Sequence, residues 1–376
     1  MGLRNEMRKI VVFSNMYPSM QHPTYGIFVK NQVGLLQSAG LDVDVVAIQN
    51  PGKGKIQALK KYMTWFFRSV LYMMKNRKKL SLTHAHYAFP TGIISLIGKK
   101  MFGIPYVVTV HGGDIDKMAA RSQRIADMTK NILRQAESVI VVGDKLREDV
   151  INNFDVPEAN VHVMSMGVDT SIFNYVAKVE AREKLTLPIE EKILIFVGNV
   201  IQAKGLLELV EAFDSLKMSF PDSSLYVIGS QKDGQFVEEL RSFIREKDVE
   251  DIHFKEPLGQ ADLALWMSAA DALVLPSYHE GFGLVALEAM SAGTKVVATD
   301  VGGLSYLLKD RAGILVEPKN PDSLAKGLWS ALDENSNVID ETVVQAKISQ
   351  HSYETILEDL LSIYRSAEKG QVDHSE

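Results

Sequence analysis

The chain of 376 residues has no cysteine, which excludes disulfides and thiolate metal sites and suits a reducing compartment. It also lacks any run of about 18 uninterrupted apolar residues. Its opening, MGLRNEMRK, has no apolar segment of signal-peptide length. The expected compartment is therefore the cytoplasm. From Lys53 to Lys79 there is no acidic residue, so Lys53, Lys55, Lys60, Lys61, Arg68, Lys75, Arg77, Lys78 and Lys79 stand unopposed. No short-period repeat or low-complexity tract is present, and only Gly370 to Glu376 reads as a loose tail.

The length suffices for two domains, each with a sizeable core. A hydrophobic share of 46% and a charged share of 23% are those of a soluble globular protein. The net charge of −6 conceals an asymmetry. Residues 1–170 hold 22 Lys and Arg against 13 Asp and Glu, whereas residues 171–376 hold 19 against 34. The acidic second half disfavours nucleic acid as a partner.

Strand-like and helix-like stretches alternate from the start. Lys9 to Ser14 reads as a strand, Gly26 to Gly40 as a helix and Asp42 to Ile48 as a strand. Leu82 to Ala85, a helix from Thr91 to Phe102, the strand Tyr106 to Val110, a long helix ending near Glu137 and the strand Ser138 to Val142 continue the pattern. A second series follows the turn at Met166 to Asp169 and a polar stretch through Glu191. Its strands are Ile193 to Val197, Ser224 to Ile228, Asp251 to Phe254, Ala272 to Leu275 and Lys295 to Thr299. Such alternation predicts an α/β protein of two doubly wound parallel-sheet domains. The expected domains are residues 1–170, joined by a C-terminal helix in 353–376, and residues 171–352. Ligands of such sheets bind beyond the carboxyl ends of the strands, so the expected site is a cleft between the domains.

One segment concentrates the chemistry. After the strand Ala272 to Leu275 the chain stops at Pro276, runs through the loop Glu280-Gly281-Phe282-Gly283, and enters a helix from Leu284 to about Ser291. Free amides and the positive end of that helix can hold a diphosphate without a metal. A carboxylate repels phosphate but accepts hydrogen bonds from hydroxyls. Glu280 is thus a candidate for the donor sugar and Glu288 for the ribose of a nucleotide sugar. The bland alternative is a solvated loop glutamate and a helix-favouring one.

The run from Glu280 to Glu288 resembles the E-x7-E signature of the family-four retaining glycosyltransferases. The similarity extends through Gly302-Gly303-Leu304 and Gly313 to Pro318. Thr109 to Asp114 resembles the family's T-x-H-G-x-D, Gly167-Val168-Asp169 its G-V-D, and Val197-Gly198 through Lys204-Gly205 its phosphate-binding loop. The matches keep the family's order. The resemblance implies a GT-B fold of two Rossmann-like domains, retention of anomeric configuration, and no metal or other cofactor. It implies that Glu280 binds sugar hydroxyls, that Phe282, Gly283 and Leu284 offer backbone groups, and that Glu288 holds the ribose. Lys204 would neutralise the departing diphosphate. Gly26 and Gly198 would let backbone approach the phosphate, and His111 would face the sugar. Asn199 stands where the family usually has arginine, which removes a bidentate phosphate donor.

A UDP-sugar such as UDP-glucose or UDP-N-acetylglucosamine is the favoured donor, and a hydroxyl of a cell-envelope, polysaccharide or lipid-linked molecule is the expected acceptor. Among the cations of the basic stretch stand aromatic and methionine side chains. Lys60, Lys61, Trp65 and Arg68 are therefore candidates for contact with an anionic membrane surface or an acceptor, peripheral on the inner face of the plasma membrane. A core-packing helix with a solvated basic face is the alternative. Two rival functions are a nucleotide-sugar epimerase of the same fold and a non-catalytic nucleotide-sugar-binding protein, the latter motivated by Asn199.

Overall fold

In the computed structural model, which describes residues 9–52 and 54–369, the chain forms two compact units. One holds the residues up to Met166 and those from Glu354 onward, and the other is Gly167–Tyr353. Lys53 and the tail Gly370 to Glu376 lie outside the described residues.

The first unit contains β1 (Lys9–Ser14), α1 (Ile27–Ser38), β2 (Val43–Ala47), α2 (Lys55–Asn76), β3 (Leu80–His86), α3 (Gly92–Phe102), β4 (Tyr106–Val110), α4 (Gln123–Gln135), β5 (Ser138–Val141), α5 (Asp144–Phe154) and β6 (Val161–Val163). The strands pair in the order β2-β1-β3-β4-β5-β6, all parallel. Alternate side chains of β1 feed two cores. Ile10 and Val12 pack with Val29, Val33 and Leu36 of α1 and with Ile356, Leu360 and Tyr364 near the chain's end. Val11 and Phe13 pack with Trp65, Met73 and Ile94. Burial on both faces explains why these strands read as unbroken apolar runs.

The second unit contains α6 (Lys178–Leu185), β7 (Lys192–Val197), α7 (Leu206–Lys217), β8 (Ser223–Ile228), α8 (Gly234–Lys247), β9 (Ile252–Lys255), α9 (Gln260–Ala269), β10 (Ala272–Leu275), α10 (Leu284–Ser291), β11 (Lys295–Thr299), α11 (Gly302–Leu308), β12 (Ile314–Val316), α12 (Pro321–Leu332) and α13 (Glu341–Gln350). Its sheet order is β12-β11-β10-β7-β8-β9, again parallel. The closing helix α14 (Tyr353–Lys369) returns to the core of the first unit.

Two stretches differ from the sequence expectation. The helix ending near Glu137 begins only at Gln123, because the chain first makes a wide helical turn at Asp114–Met118 and a tight one at Ala119–Arg121. Ser122 then starts α4 by accepting from the Ile125 amide. The polar stretch before Glu191 contains α6, anchored by Arg182. This guanidinium is buried, and it donates to the Ala269 and Glu191 carbonyls and to the Asp271 carboxylate. Those partners offset the cost of burying its charge.

In each sheet the winding direction reverses once, between β1 and β3 in the first unit and between β7 and β10 in the second. Loops leaving adjacent strands there diverge, which opens space at the carboxyl ends.

Candidate active site

At the β7/β10 switch point the second unit brings together most of the residues singled out in its sequence. Gly198 follows β7, its amide donating to Ile228 O at 3.0 Å, and Asn199 beside it is exposed. Lys204 ends a short turn, Gln202–Lys204, before α7. The loop after β10 is pinned onto that turn by the Tyr278 amide, which donates to Ala203 O at 3.0 Å. Tyr278 OH donates to Glu208 Oε1 at 2.7 Å on α7. On the other side Thr299 Oγ1 donates to Ser277 O at 2.5 Å and the Gly303 amide to Gly281 O at 2.8 Å. The loop is held by its own backbone, which fixes Glu280 in place.

Glu280 Oε2 lies 2.5 Å from Lys204 Nζ, and Ser277 Oγ donates to the same oxygen at 3.3 Å. Both charged side chains keep about a fifth of their surface exposed, 22% each. The candidate phosphate cation and the candidate sugar carboxylate are therefore neighbours that compensate each other.

Gly283 enters α10 in the left-handed conformation, at φ +87°, a region open to glycine. The first helical bonds run from the Ala286 and Leu287 amides to Gly283 O. The amides of Gly283, Leu284 and Val285 thus precede the helical ladder, at its positive end. The ring of Phe282 is buried edge-on against His351, with centroids 4.9 Å apart, which leaves its backbone as the part that can meet a ligand. Glu288, one turn into α10, has its carboxyl pushed up to about 8 by burial. At neutral pH it is largely protonated until a partner favours the ion.

The first unit assembles a different set at its β1/β3 switch point and on β4. Gly26 caps α1 at φ +72°, where an added Cβ would lie 2.7 Å from the Met16 backbone carbonyl. His111 follows β4. Its amide donates to Asp114 Oδ1 at 3.1 Å, while Asp114 Oδ2 accepts from the Ala88 amide at 2.8 Å. One buried carboxylate thus ties the loops after β3 and β4 together. The His111 ring touches Phe28, Tyr87 and His86.

His84 and His86 were not singled out in the sequence, yet both are fully buried on one face of β3, stacked 4.6 Å apart. His84 is saturated by Tyr364 OH at 2.6 Å and Thr109 Oγ1 at 2.8 Å. His86 Nδ1 meets His111 Nε2 at 3.2 Å. The signal was present as His84-Ala85-His86 at a strand's carboxyl end: alternate residues of a strand share a face.

The basic helix α2 requires a correction. Trp65 does not face outward. It is 5% exposed, sits in the core with Val11 and Phe13, and donates from Nε1 to Val46 O at 2.9 Å. Lys61 reaches back to the carbonyls of Asn50 and Gly52. Lys60 and Arg68 are exposed. The outer face carries instead Ile56, Leu59, Met63, Phe67, Leu71 and Met74, from 44% to 84% exposed. Their spacing of three or four residues places them in one stripe. The helix is apolar on two sides, and the sheet accepted the side with the larger ring.

The description "Glycosyl transferases group 1" matches residues 177–347, and "Glycosyltransferase Family 4" matches residues 26–172. The chain belongs to the family-four, group 1 glycosyltransferases. It is 27% identical over 388 residues to TuaC of Bacillus subtilis strain 168, which carries the name teichuronic acid biosynthesis glycosyltransferase, with 93% of each chain covered. It is 32% identical over 266 residues to the D-inositol 3-phosphate glycosyltransferase of Arthrobacter sp. strain FB24, covering 68% of this chain and 63% of that one.

Among solved structures, sucrose-phosphate synthase from Thermosynechococcus elongatus superposes with a TM-score of 0.75 at 23% identity, covering 95% of this chain and 98% of the other. Anabaena HepE in complex with UDP and glucose superposes with a TM-score of 0.76 at 19% identity, covering 96% and 100%. The fold of this transferase is GT-B.

Proposed function

We propose that this transferase takes its sugar from a nucleoside diphosphate donor, UDP-glucose or UDP-N-acetylglucosamine in first place. The acceptor is a hydroxyl of a cell-envelope polysaccharide or lipid-linked glycan. The observation that carries the reading is the loop-to-helix segment from Glu280 to Glu288, with Lys204 beside it. The amides of Gly283 and Leu284 meet the diphosphate, and Lys204 exchanges its contact with Glu280 for the phosphate oxygens. Glu280, released, accepts from the sugar hydroxyls, and Glu288 accepts from the ribose. The UDP-sugar choice is supported by the UDP and UDP-glucose complexes of HepE, and the acceptor class by the name of TuaC.

The reaction proposed is transfer with retention. The acceptor oxygen bonds to the anomeric carbon on the face the diphosphate leaves, the bond from that carbon to the phosphate oxygen breaks, and the acceptor's proton passes to the leaving diphosphate. Lys204 and the α10 amides stabilise the charge that develops there, so no metal is required. His111 keeps the role implied by the family resemblance, a hydrogen-bonding group for the transferred sugar. Burial lowers its imidazole to about 3, so it acts as a neutral ring. Incubation with UDP-glucose and UDP-N-acetylglucosamine in EDTA tests the reading: free UDP is expected, and release that requires added Mg²⁺ or Mn²⁺ would reject the metal-independent route.

The outer stripe of α2 favours a second statement about partners. Six exposed apolar side chains flanked by Lys60, Arg68 and Lys75 suit an anionic lipid surface, where each cation contributes about 1 kcal/mol. Among the described residues no helix is long and apolar enough to cross a membrane. Co-sedimentation should therefore be greater with phosphatidylglycerol vesicles than with phosphatidylcholine vesicles. Equal sedimentation with the two would refute this surface.

A further inference from the structure

The column of three imidazoles in the first unit contains one contact that the reaction described above does not use. His86 Nδ1 and His111 Nε2 are 3.2 Å apart, and their rings are nearly parallel, 19° between planes. Burial holds His86 well below its usual range and His111 at about 3. Both rings are neutral at the pH of turnover, so each carries one proton on one of two nitrogens. Two facing N–H groups would repel, as would two facing lone pairs. The contact therefore couples the tautomers of the two rings.

His86 Nε2 decides the direction of that coupling. It is buried with no hydrogen-bond partner among the described residues. A buried donor without an acceptor is rarer in proteins than a buried acceptor without a donor. Nε2 is then the bare nitrogen and Nδ1 carries the proton. His86 donates to His111 Nε2, which leaves the His111 proton on Nδ1. That second nitrogen has no hydrogen-bond partner among the described residues, and His111 is only half-buried.

The base of the column is rigid. His84 stacks on His86 and is locked by Tyr364 of α14 and Thr109 of β4. Asp114 fixes the His111 backbone from the other side. Little freedom remains for either ring except which nitrogen holds the proton.

We propose that His86 is a positioning residue for His111: its Nδ1–H holds His111 as the Nδ1–H tautomer, so that the ring presents a hydrogen-bond donor to an oxygen of the transferred sugar. This rests on the reading of His111 as a sugar-facing group. The role parallels that of outer groups that orient metal-bound histidines by occupying their second nitrogen. Replacing His86 should disturb turnover without touching donor or acceptor.

The test combines nitrogen-15 NMR of histidine-labelled full-length chain with turnover of whichever of UDP-glucose and UDP-N-acetylglucosamine the wild type converts to UDP. In the wild type His111 should appear as a single neutral species protonated at Nδ1. His86→Phe keeps an aromatic ring in the stack and removes the donor. It should let the His111 proton move to Nε2 and lower kcat about tenfold, with the donor KM unmoved. His86→Asn places an amide donor near the former Nδ1 and should restore both the tautomer and most of kcat.

Two results overturn the proposal while the site reading stands: wild-type His111 protonated at Nε2, or His86→Phe with wild-type kcat while His111→Ala abolishes turnover. If His111→Ala leaves turnover intact, the site reading and the proposal fall together. The wild-type spectrum decides the direction even where His86→Phe fails to fold.

Discussion

The carboxyl edge of the first sheet carries neutral imidazole rings and a carboxylate engaged with backbone amides. At the same edge of the second sheet a lysine and a glutamate face each other, and a second glutamate waits half-buried and protonated. The architecture is shared: six parallel strands, one reversal of winding, and a left-handed glycine leading into a site helix, Gly26 before α1 and Gly283 before α10. The same backbone device thus stands in two different electrostatic environments. A diphosphate brings negative charge that must be met and released, which suits charged side chains in a partly exposed place. A sugar brings hydroxyls, which neutral donors and acceptors can orient without a change of charge.

The largest effect that separates the units should come from Glu280. Glu280→Gln removes the carboxylate proposed to hold the sugar, and turnover of the donor should fall about 100-fold, the loss of a charged hydrogen bond. Lys204 would also lose its partner. Steady-state assays should show the loss in kcat/KM, and a change under threefold would break the assignment.

The glycines test the shared backbone. Gly283→Ala and Gly26→Ala each force a side chain into positive φ, which costs about 1–3 kcal/mol. Gly26→Ala should cost more. Its Cβ would meet the Met16 backbone at 2.7 Å, whereas that of Gly283 meets the flexible end of Leu304 at 2.6 Å. Urea denaturation should rank them in that order, and the reverse ranking would mean the second site is the stiffer.

The units should also respond oppositely to pH. The folded-state values of His84 and His111, about 3, lie below the ordinary 6.5. The unfolded chain therefore takes up protons first, and stability falls as pH drops below about 6.5. Glu288 at about 8 lies above its ordinary 4.5. There the unfolded chain loses its proton first, and stability falls as pH rises between about 4.5 and 8. Glu288→Gln should therefore gain stability relative to wild type as pH is raised from 5 to 8, measured by chemical denaturation. A constant difference would show that Glu288 ionises normally.

The smallest effect is expected on the outer face of α2. Phe67→Gln changes an exposed ring, so stability should stay within about 0.5 kcal/mol of wild type while sedimentation with phosphatidylglycerol vesicles declines. Unchanged sedimentation would assign the stripe to something other than lipid.

Much of this comparison was legible in the sequence, and the reasons differ by region. Strands such as Tyr106–Val110, Ala272–Leu275 and Lys295–Thr299 are buried on both faces and flanked by glycine or proline, so their limits could be read directly. Three-residue edge strands, β6 and β12, are too short to show a period. The loop from Glu280 into α10 was readable because glycines and a proline punctuate it. The pairing of Lys204 with Glu280, 76 residues apart, depends on which strands are neighbours. The side on which Trp65 is buried was not legible because α2 is apolar on two sides, and sequence periodicity does not tell which side meets the sheet. The strand expected at Leu82 to Ala85 stops one residue short of His86, and β3 runs on to it, with His84 and His86 both buried.

The central claim is that a nucleoside diphosphate is held at the start of α10 by backbone amides and Lys204. Calorimetric titration of UDP into the wild type and into Lys204→Gln tests it most directly. The wild type should bind UDP, and the variant should bind it about 10- to 100-fold more weakly, the loss of one charge-assisted hydrogen bond. Equal affinity of the two chains for UDP would contradict the account.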